Sequence, residues 1–508
     1  MTKYFLPVLL FLFLYSNPVK SEAQSDTQIL EGLDLIYNLE FDDAEILFKS
    51  YQKNNPDDLK GYFYESLIYF YKALPSRDEK LYGKFLELSN NVISKAEKKL
   101  DVNKNDVEAL YYKGIAHSYV SLLMLSLNKS LLEAASNGND GYRILTAVIE
   151  NYPEYYDAYM GLGLYKVALG FVPDKFKWLL SLIGFDGNIK DGVRLLNVSR
   201  EKGIYTKVDS KVFLSIFSLK EEEEQDQTAL NYSEDLTEEY PQSPVFRVFY
   251  SSLLLQFGYN EKAIENANKS LELNTRSFKS EIEKSSFAIL GTAYFRLNDY
   301  DKSIQFLEKY MTYVNPEDRY NVYLFTLGAA YELSGNRSAA INKYSEVRNN
   351  FIEERDGELD KIFYRYSREK LKVPMNTLDS LLILALNLRE SLKFEESVNI
   401  YEEISEKSLL QKYNTVDYKI KFHFESGLSY SYAGNTKKAL EQFNKCITLS
   451  PENETWLVPH SYFEMGKIYF REGKKDKAEE MFEEIYEYDD FDFESFLDIR
   501  LANFRNKN

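Results

Sequence analysis

Across residues 285–316, SSFAILGTAYFRLNDYDKSIQFLEKYMTYVNP, apolar side chains recur at three- and four-residue intervals in two separate runs. Phe287, Leu290, Gly291 and Tyr294 share one face of a first helix. Asn298-Asp299 interrupts that run, Ile304, Leu307 and Tyr310 share one face of a second helix, and Asn315-Pro316 ends it. Neither helix can bury its stripe alone, and the pair still leaves an apolar surface for a neighbouring pair to cover. The pattern predicts an all-α array of antiparallel helix pairs, each packed on the next.

The same pattern runs through the chain. Towards the C-terminus it reads Leu327, Gly328, Tyr331, Ala340, Tyr344; then Ala385, Leu388, Ser397, Tyr401; then Gly427, Tyr430, Ala439, Phe443, Pro451; then Gly466, Tyr469, Ala478, Phe482. Residues 30–56 form a first pair around Gly32, Ala44 and Phe48, with Asp42-Asp43 at the start of its second helix, where acidic groups suit the dipole. Residues 59–100 predict two helices divided at Pro75, and 107–135 one long helix. Ser136–Gly141 (SNGNDG) predicts a turn. It lacks the bidentate Glu that would close a calcium loop. Pairs at 207–240 and 245–273 follow, the latter turned at Gly258, and 353–372 is a charged helical insert. In the last stretch Phe493, Phe496, Leu497 and Leu501 are expected to face inward as a cap. The expected division is a leader at 1–23, an irregular helical region at 24–240 with a hydrophobic insert at 171–186, a regular array at 241–490, and a capping helix with its tail at 491–508.

These residues resemble the tetratricopeptide repeat: aromatic, Leu, Gly and Tyr on the first helix, a small residue (Ser303), a bulky one (Leu307), and Pro after the second. The resemblance implies a TPR-like α-solenoid, a right-handed superhelix of helix pairs that binds other proteins. In such a repeat the first helix lines the concave side. The positions three before, four after and five after the Gly would then point inward. These are Ala288, Phe295 and Arg296; Phe325, Glu332 and Leu333; Phe424, Ser431 and Tyr432; Phe463, Phe470 and Arg471. The implied site is an aromatic groove with a few arginines, carried by Phe295, Arg296, Phe325, Phe424, Tyr432, Phe463, Phe470 and Arg471. The alternative is that these rings pack on an adjoining turn of the superhelix. The Lys/Asn set that clamps a C-terminal carboxylate in chaperone-binding repeats is absent.

Residues 159–198 resemble the tetratricopeptide-repeat-domain-39 family and its fungal inclusion-clearance relatives. The match is Pro173, Leu179-Leu180, Gly184-Phe185-Asp186-Gly187, Gly192 and Leu195-Leu196; Asn188-Ile189 stands where the family usually has Asp-Arg. The resemblance implies an interaction protein with no known chemistry, and in some members a lipid or organelle surface. Within the insert, Trp178, Leu179, Leu182, Ile183 and Phe185 are crowded together beside Lys175 and Lys177. Two readings stand: a wedge that docks on a lipid surface or partner, and a broken helix that plugs the superhelix.

Composition narrows the class. At 508 residues the chain is too long for one compact core, a limit that a repeat array escapes. Lys3 followed by the apolar run 5–15 and Ser21-Glu22-Ala23 predicts an export signal cleaved after Ala23; the alternative is an uncleaved anchor. Export would place the protein in the periplasm or cell envelope of a Gram-negative source, and outside the cell otherwise. A net charge of −18 opposes binding to nucleic acid. The acidic run Glu221–Glu224 is expected to be a solvated helix end. The single cysteine, Cys446, cannot form an internal disulfide and is expected in the core. His117, His423 and His460 show no metal-ligand spacing, and no phosphate-binding loop or nucleophile elbow is present. No cofactor, metal or catalytic residue is expected. The reading is an exported scaffold for another protein, suited to envelope assembly. Its alternative is a carrier or sensor of a lipid or other apolar ligand, gated near Trp178.

Overall fold

The computed structural model describes residues 18–170, 189–218, 227–315, 320–353 and 355–507. Among these residues are 25 α-helices, one short 3-10 turn and no strand, so the protein is all-α. The expected leader up to residue 17, the acidic run Glu221–Glu224, and the insert residues Trp178, Leu179, Leu182, Ile183 and Phe185 lie outside the described residues. No helix among the described residues is long and apolar enough to cross a membrane.

One packing rule builds the pairs. Gly291 in the Lys279–Arg296 helix faces Leu307 in the Tyr300–Met311 helix, and a Cβ at Gly291 would sit 2.5 Å from the Leu307 side chain. The same sixteen-residue offset sets Gly32 against Phe48, Gly328 against Tyr344, Gly427 against Phe443 and Gly466 against Phe482. A large side chain on the second helix fills the space that the glycine leaves on the first. A small residue ties the helices elsewhere: Ser303 Oγ donates to Gly291 O at 2.8 Å, and Ser397 Oγ to Ala385 O at 2.7 Å. The tight turns need a left-handed residue, which Gly434 supplies at φ 77° and Asn298 at φ 61°. Asp299, Asn336 and Asn435 then cap the second helices.

The chain forms two compact units. The first comprises residues 1–220, 226–246 and 273–281; the second comprises 221–225, 247–272 and 282–508. In the first, the Pro18–Tyr37 helix meets the chain again some two hundred residues later. Tyr37 OH donates to Asp209 Oδ2 at 3.0 Å, Ser243 Oγ to Tyr37 O at 2.6 Å, and Tyr240 OH to Asp34 Oδ1 at 3.1 Å. The interior so enclosed is filled by rings, among them Phe63, Tyr64, Phe70, Tyr111, Tyr112 and Tyr119.

Two expectations are corrected. Residues 107–151 turn at 127–130, between the Val107–Ser126 and Leu131–Asn151 helices, and the helix runs straight through Ser136–Gly141. The glycines there serve contact rather than turning: a Cβ at Gly141 would lie 2.5 Å from Ser118 Oγ and 3.0 Å from Gly114 O. Ser130, which accepts from Glu133 N, marks the true helix start. In the Glu494–Lys507 helix the inward stripe is Leu497, Leu501 and Phe504, whereas Phe496 is 49% exposed.

Candidate protein-interaction site

In the second unit, a series of ion pairs runs along the first helices, each tying a first-helix residue to a neighbouring segment. Arg337 meets Glu332 at 2.8 Å, Lys370 meets Asp379 at 2.8 Å, Arg389 meets Glu425 at 2.5 Å, and Lys421 meets Glu454 at 3.1 Å. Glu464 takes both Lys467 at 3.0 Å and Arg500 at 3.2 Å. Burial alone would raise the Glu464 carboxyl, but Lys467 and Arg500 outweigh it and pull it down to about 2. These charges are largely spent on each other, so they shape and stiffen the face rather than offer free charge.

Tyr432 ends the Val416–Tyr432 helix on this face. Its ring stacks on Phe394 with centroids 5.4 Å apart and planes 16° apart. It is 60% exposed, yet desolvation raises its phenol, and Glu464, Arg389, Arg500 and Glu390 all act on it. The ring is thus open to solvent, while charged groups of neighbouring helices lie close enough to act on it. The Arg500 guanidinium, one of those groups, lies 4.6 Å from the Phe463 ring centroid and 5.7 Å from that of the exposed Phe496. Tyr432 and Phe496 are exposed, and with Arg500 they are of the residue types that dominate protein interfaces.

The other expected groove residues are placed differently. Phe424 (6% exposed) packs on Phe443 and Trp456, and Phe463 (2% exposed) packs on Phe482 and Phe504, so neither can line an open groove. Their position in the repeat turns them towards the second helix and the neighbouring pair, where burial of a large ring is most favourable. Phe325 is half-buried against Tyr344, Phe363 and Tyr366. Phe295 is half-buried beside Tyr300, and Phe470 beside Phe504. Arg296 donates to Leu255 O at 2.6 Å and pairs with Glu390 at 3.4 Å, and is thereby tied to its own unit. Arg471 is exposed. These eight residues do not form one continuous aromatic groove.

Sequence reasoning missed Arg389, Glu425, Glu464 and Arg500. A signal was present: Glu425 and Glu464 occupy the same repeat position, two residues before Gly427 and Gly466. Among the described residues no group of acidic, His or Cys side chains could hold a metal. His117 bonds Asn137 and His423 bonds Gln442, each at 2.8 Å, and burial first of all pushes His460 down to about 3. Cys446 is buried, and that burial pushes its thiol up to about 12.

Parts of the chain are similar to known protein families. Residues 157–331 match the family profile described as Iml2/Tetratricopeptide repeat protein 39, and residues 420–453 and 459–492 each match a tetratricopeptide-repeat profile. No curated protein matches the chain. Among solved structures, yeast Tom70 is similar at 11% identity and TM-score 0.33, over 89% of this chain and 97% of that one. The human IFIT1 dimer with m7Gppp-AAAA is similar at 12% identity and TM-score 0.36, and that with PPP-AAAA at 14% and 0.34. Each IFIT1 comparison covers 84% of this chain and 94% of that one. Likeness at this level says nothing about what the chain binds.

Proposed function

We propose that this chain, a tetratricopeptide-repeat protein carrying an Iml2/TPR39-type segment, is an exported scaffold that holds a segment of another protein against the first-helix face of its second unit. The repeat class supports protein interaction in general. One observation carries the location: Tyr432 and Phe496 are both large and exposed, Phe496 lies beside Arg500, and the charges around them, Arg500 included, are already paired. A partner segment with an aromatic or other apolar anchor would displace water from those rings without breaking an ion pair. By contrast, the interior of the first unit is occupied by its own tyrosines. Export rests on the N-terminal apolar run and would suit a role in envelope assembly.

The test is partner recovery with Tyr432→Ser and Phe496→Ser, alone and together. Both side chains are largely exposed, so melting temperature should hold while capture falls about tenfold or more for the double variant. Undiminished capture by a folded double variant would move the site elsewhere. Sequencing the N-terminus of the mature protein tests export: a start at Gln24 is expected.

A further inference from the structure

Among the described residues of the first unit, three buried phenol groups have no hydrogen-bond partner. Tyr64 on the Leu59–Ser76 helix, with Tyr111 and Tyr112 on the Val107–Ser126 helix, are 2%, 1% and 0% exposed. None of their hydroxyls has a hydrogen-bond partner. The rings are neighbours: Tyr111 and Tyr112 are 4.9 Å apart between centroids, and Tyr64 and Tyr112 are 6.4 Å apart. Tyr155 and Tyr205 close the group, 4.9 Å from Tyr111 and 5.6 Å from Tyr64 respectively.

Phenylalanine would fill the same space without burying a hydroxyl, and the chain uses Phe freely. Phe63 lies 5.1 Å from Tyr64 and 5.4 Å from Tyr112 in the same cluster. A buried hydroxyl left without a partner is penalised, and three in one place is outside the ordinary pattern of folded proteins. Nearby polar groups are already engaged: Asp157 Oδ1 accepts from Ile204 N, Tyr205 N, Thr206 N and Thr206 Oγ1 at 2.8–3.1 Å, and Lys60 pairs with Asp26 at 3.0 Å and Glu108 at 3.5 Å. Burial raises all three phenols well above their ordinary range, so each stays protonated and can both donate and accept.

We infer that Tyr64, Tyr111 and Tyr112 form an internal solvent site, where one or more ordered water molecules bridge the three hydroxyls and become part of the first unit's core. Water suits the site in charge and chemistry: the three hydroxyls offer both donors and acceptors, and the nearby cation and carboxylates have partners of their own.

The sign of a stability change decides the matter. Tyr64→Phe, Tyr111→Phe and Tyr112→Phe are made singly in the full chain and melted. If water bridges the hydroxyls, each deletion strips the water of a partner, and the melting temperature falls by about 2–4 °C for each kcal/mol lost. If the hydroxyls are truly unpaired, removing them relieves a penalty, and the melting temperature stays or rises. A crystal structure gives a second reading that does not depend on stability. Solvent density within hydrogen-bond distance of at least two of the three hydroxyls is expected; dry packing there overturns the inference.

Discussion

Tyr37, at the end of the Pro18–Tyr37 helix, donates a 3.0 Å hydrogen bond to the buried carboxylate of Asp209, and Tyr71 donates to the other oxygen. This contact with the Lys207–Ser218 helix closes the first unit, and it does so through an acid whose hydrogen bonds come from phenols. Burial pushes the Asp209 carboxyl up to about 6, and the hydrogen bonds from Tyr71 and Tyr37 recover only part of that.

A pH dependence follows. The folded pKa of Asp209 lies above the unfolded value of about 3.9, so between these values the folded state keeps a proton that the unfolded state has released. This group's contribution therefore improves as pH falls from about 7 towards 4, and its penalty is full above about 6, on the order of 3 kcal/mol. Asp209→Asn, which keeps the shape and removes the charge, should flatten that part of the profile. Denaturant titrations of both proteins from pH 7.5 to 4.5 measure the difference; parallel profiles would mean that Asp209 ionises normally.

The glycine rule predicts opposite effects for the same substitution at two sites. A Cβ at Gly466 would fall 2.2 Å from the Phe482 ring, whereas nothing lies within 4 Å of one at Gly83 in the Glu79–Val102 helix. Gly83→Ala should stabilise by about 0.5–1 kcal/mol through helix propensity. Gly466→Ala gains the same propensity but overpacks the pair, for a net loss of about 1–3 kcal/mol. Equal effects in urea denaturation would show that the pairs do not pack as described.

The Lys370–Asp379 pair is well enclosed, with both side chains less than a tenth exposed and Tyr418 OH on Asp379 Oδ1 at 2.7 Å. Asp379→Ala would leave the buried Lys370 ammonium to the half-exposed Glu369, at 3.1 Å, and should cost about 3 kcal/mol. Replacing both residues by apolar ones should cost much less. A double-mutant cycle read by chemical denaturation separates these outcomes.

Much of the fold was legible because its determinants are local. The Gly of the first helix and the bulky residue sixteen places on stand in one short stretch, and the Asn or Asp of the turn declares itself by type. The 127–130 turn was missed because a small-residue run usually marks a turn. Here Gly138 and Gly141 are small so that two helices can touch, a reason visible only once Ser121 lies against Gly138 and Ser118 against Gly141. The site was less legible for the same kind of reason. Position in the repeat pointed to Tyr432, Phe424 and Phe463 alike, and could not tell that Tyr432 stays exposed while Phe424 and Phe463 take the core. Arg500 comes from the last helix and reaches Glu464 across the fold, a pairing that no spacing along the chain announces.

Site-specific crosslinking addresses the interaction face most directly. A photoreactive amino acid at position 432 is compared with one at position 46, where Ile46 is 67% exposed in the other unit. The account predicts a discrete adduct with one protein from position 432, none from position 46, and loss of the adduct on Phe496→Ser. An adduct that forms equally from position 46, or that survives Phe496→Ser undiminished, would contradict it.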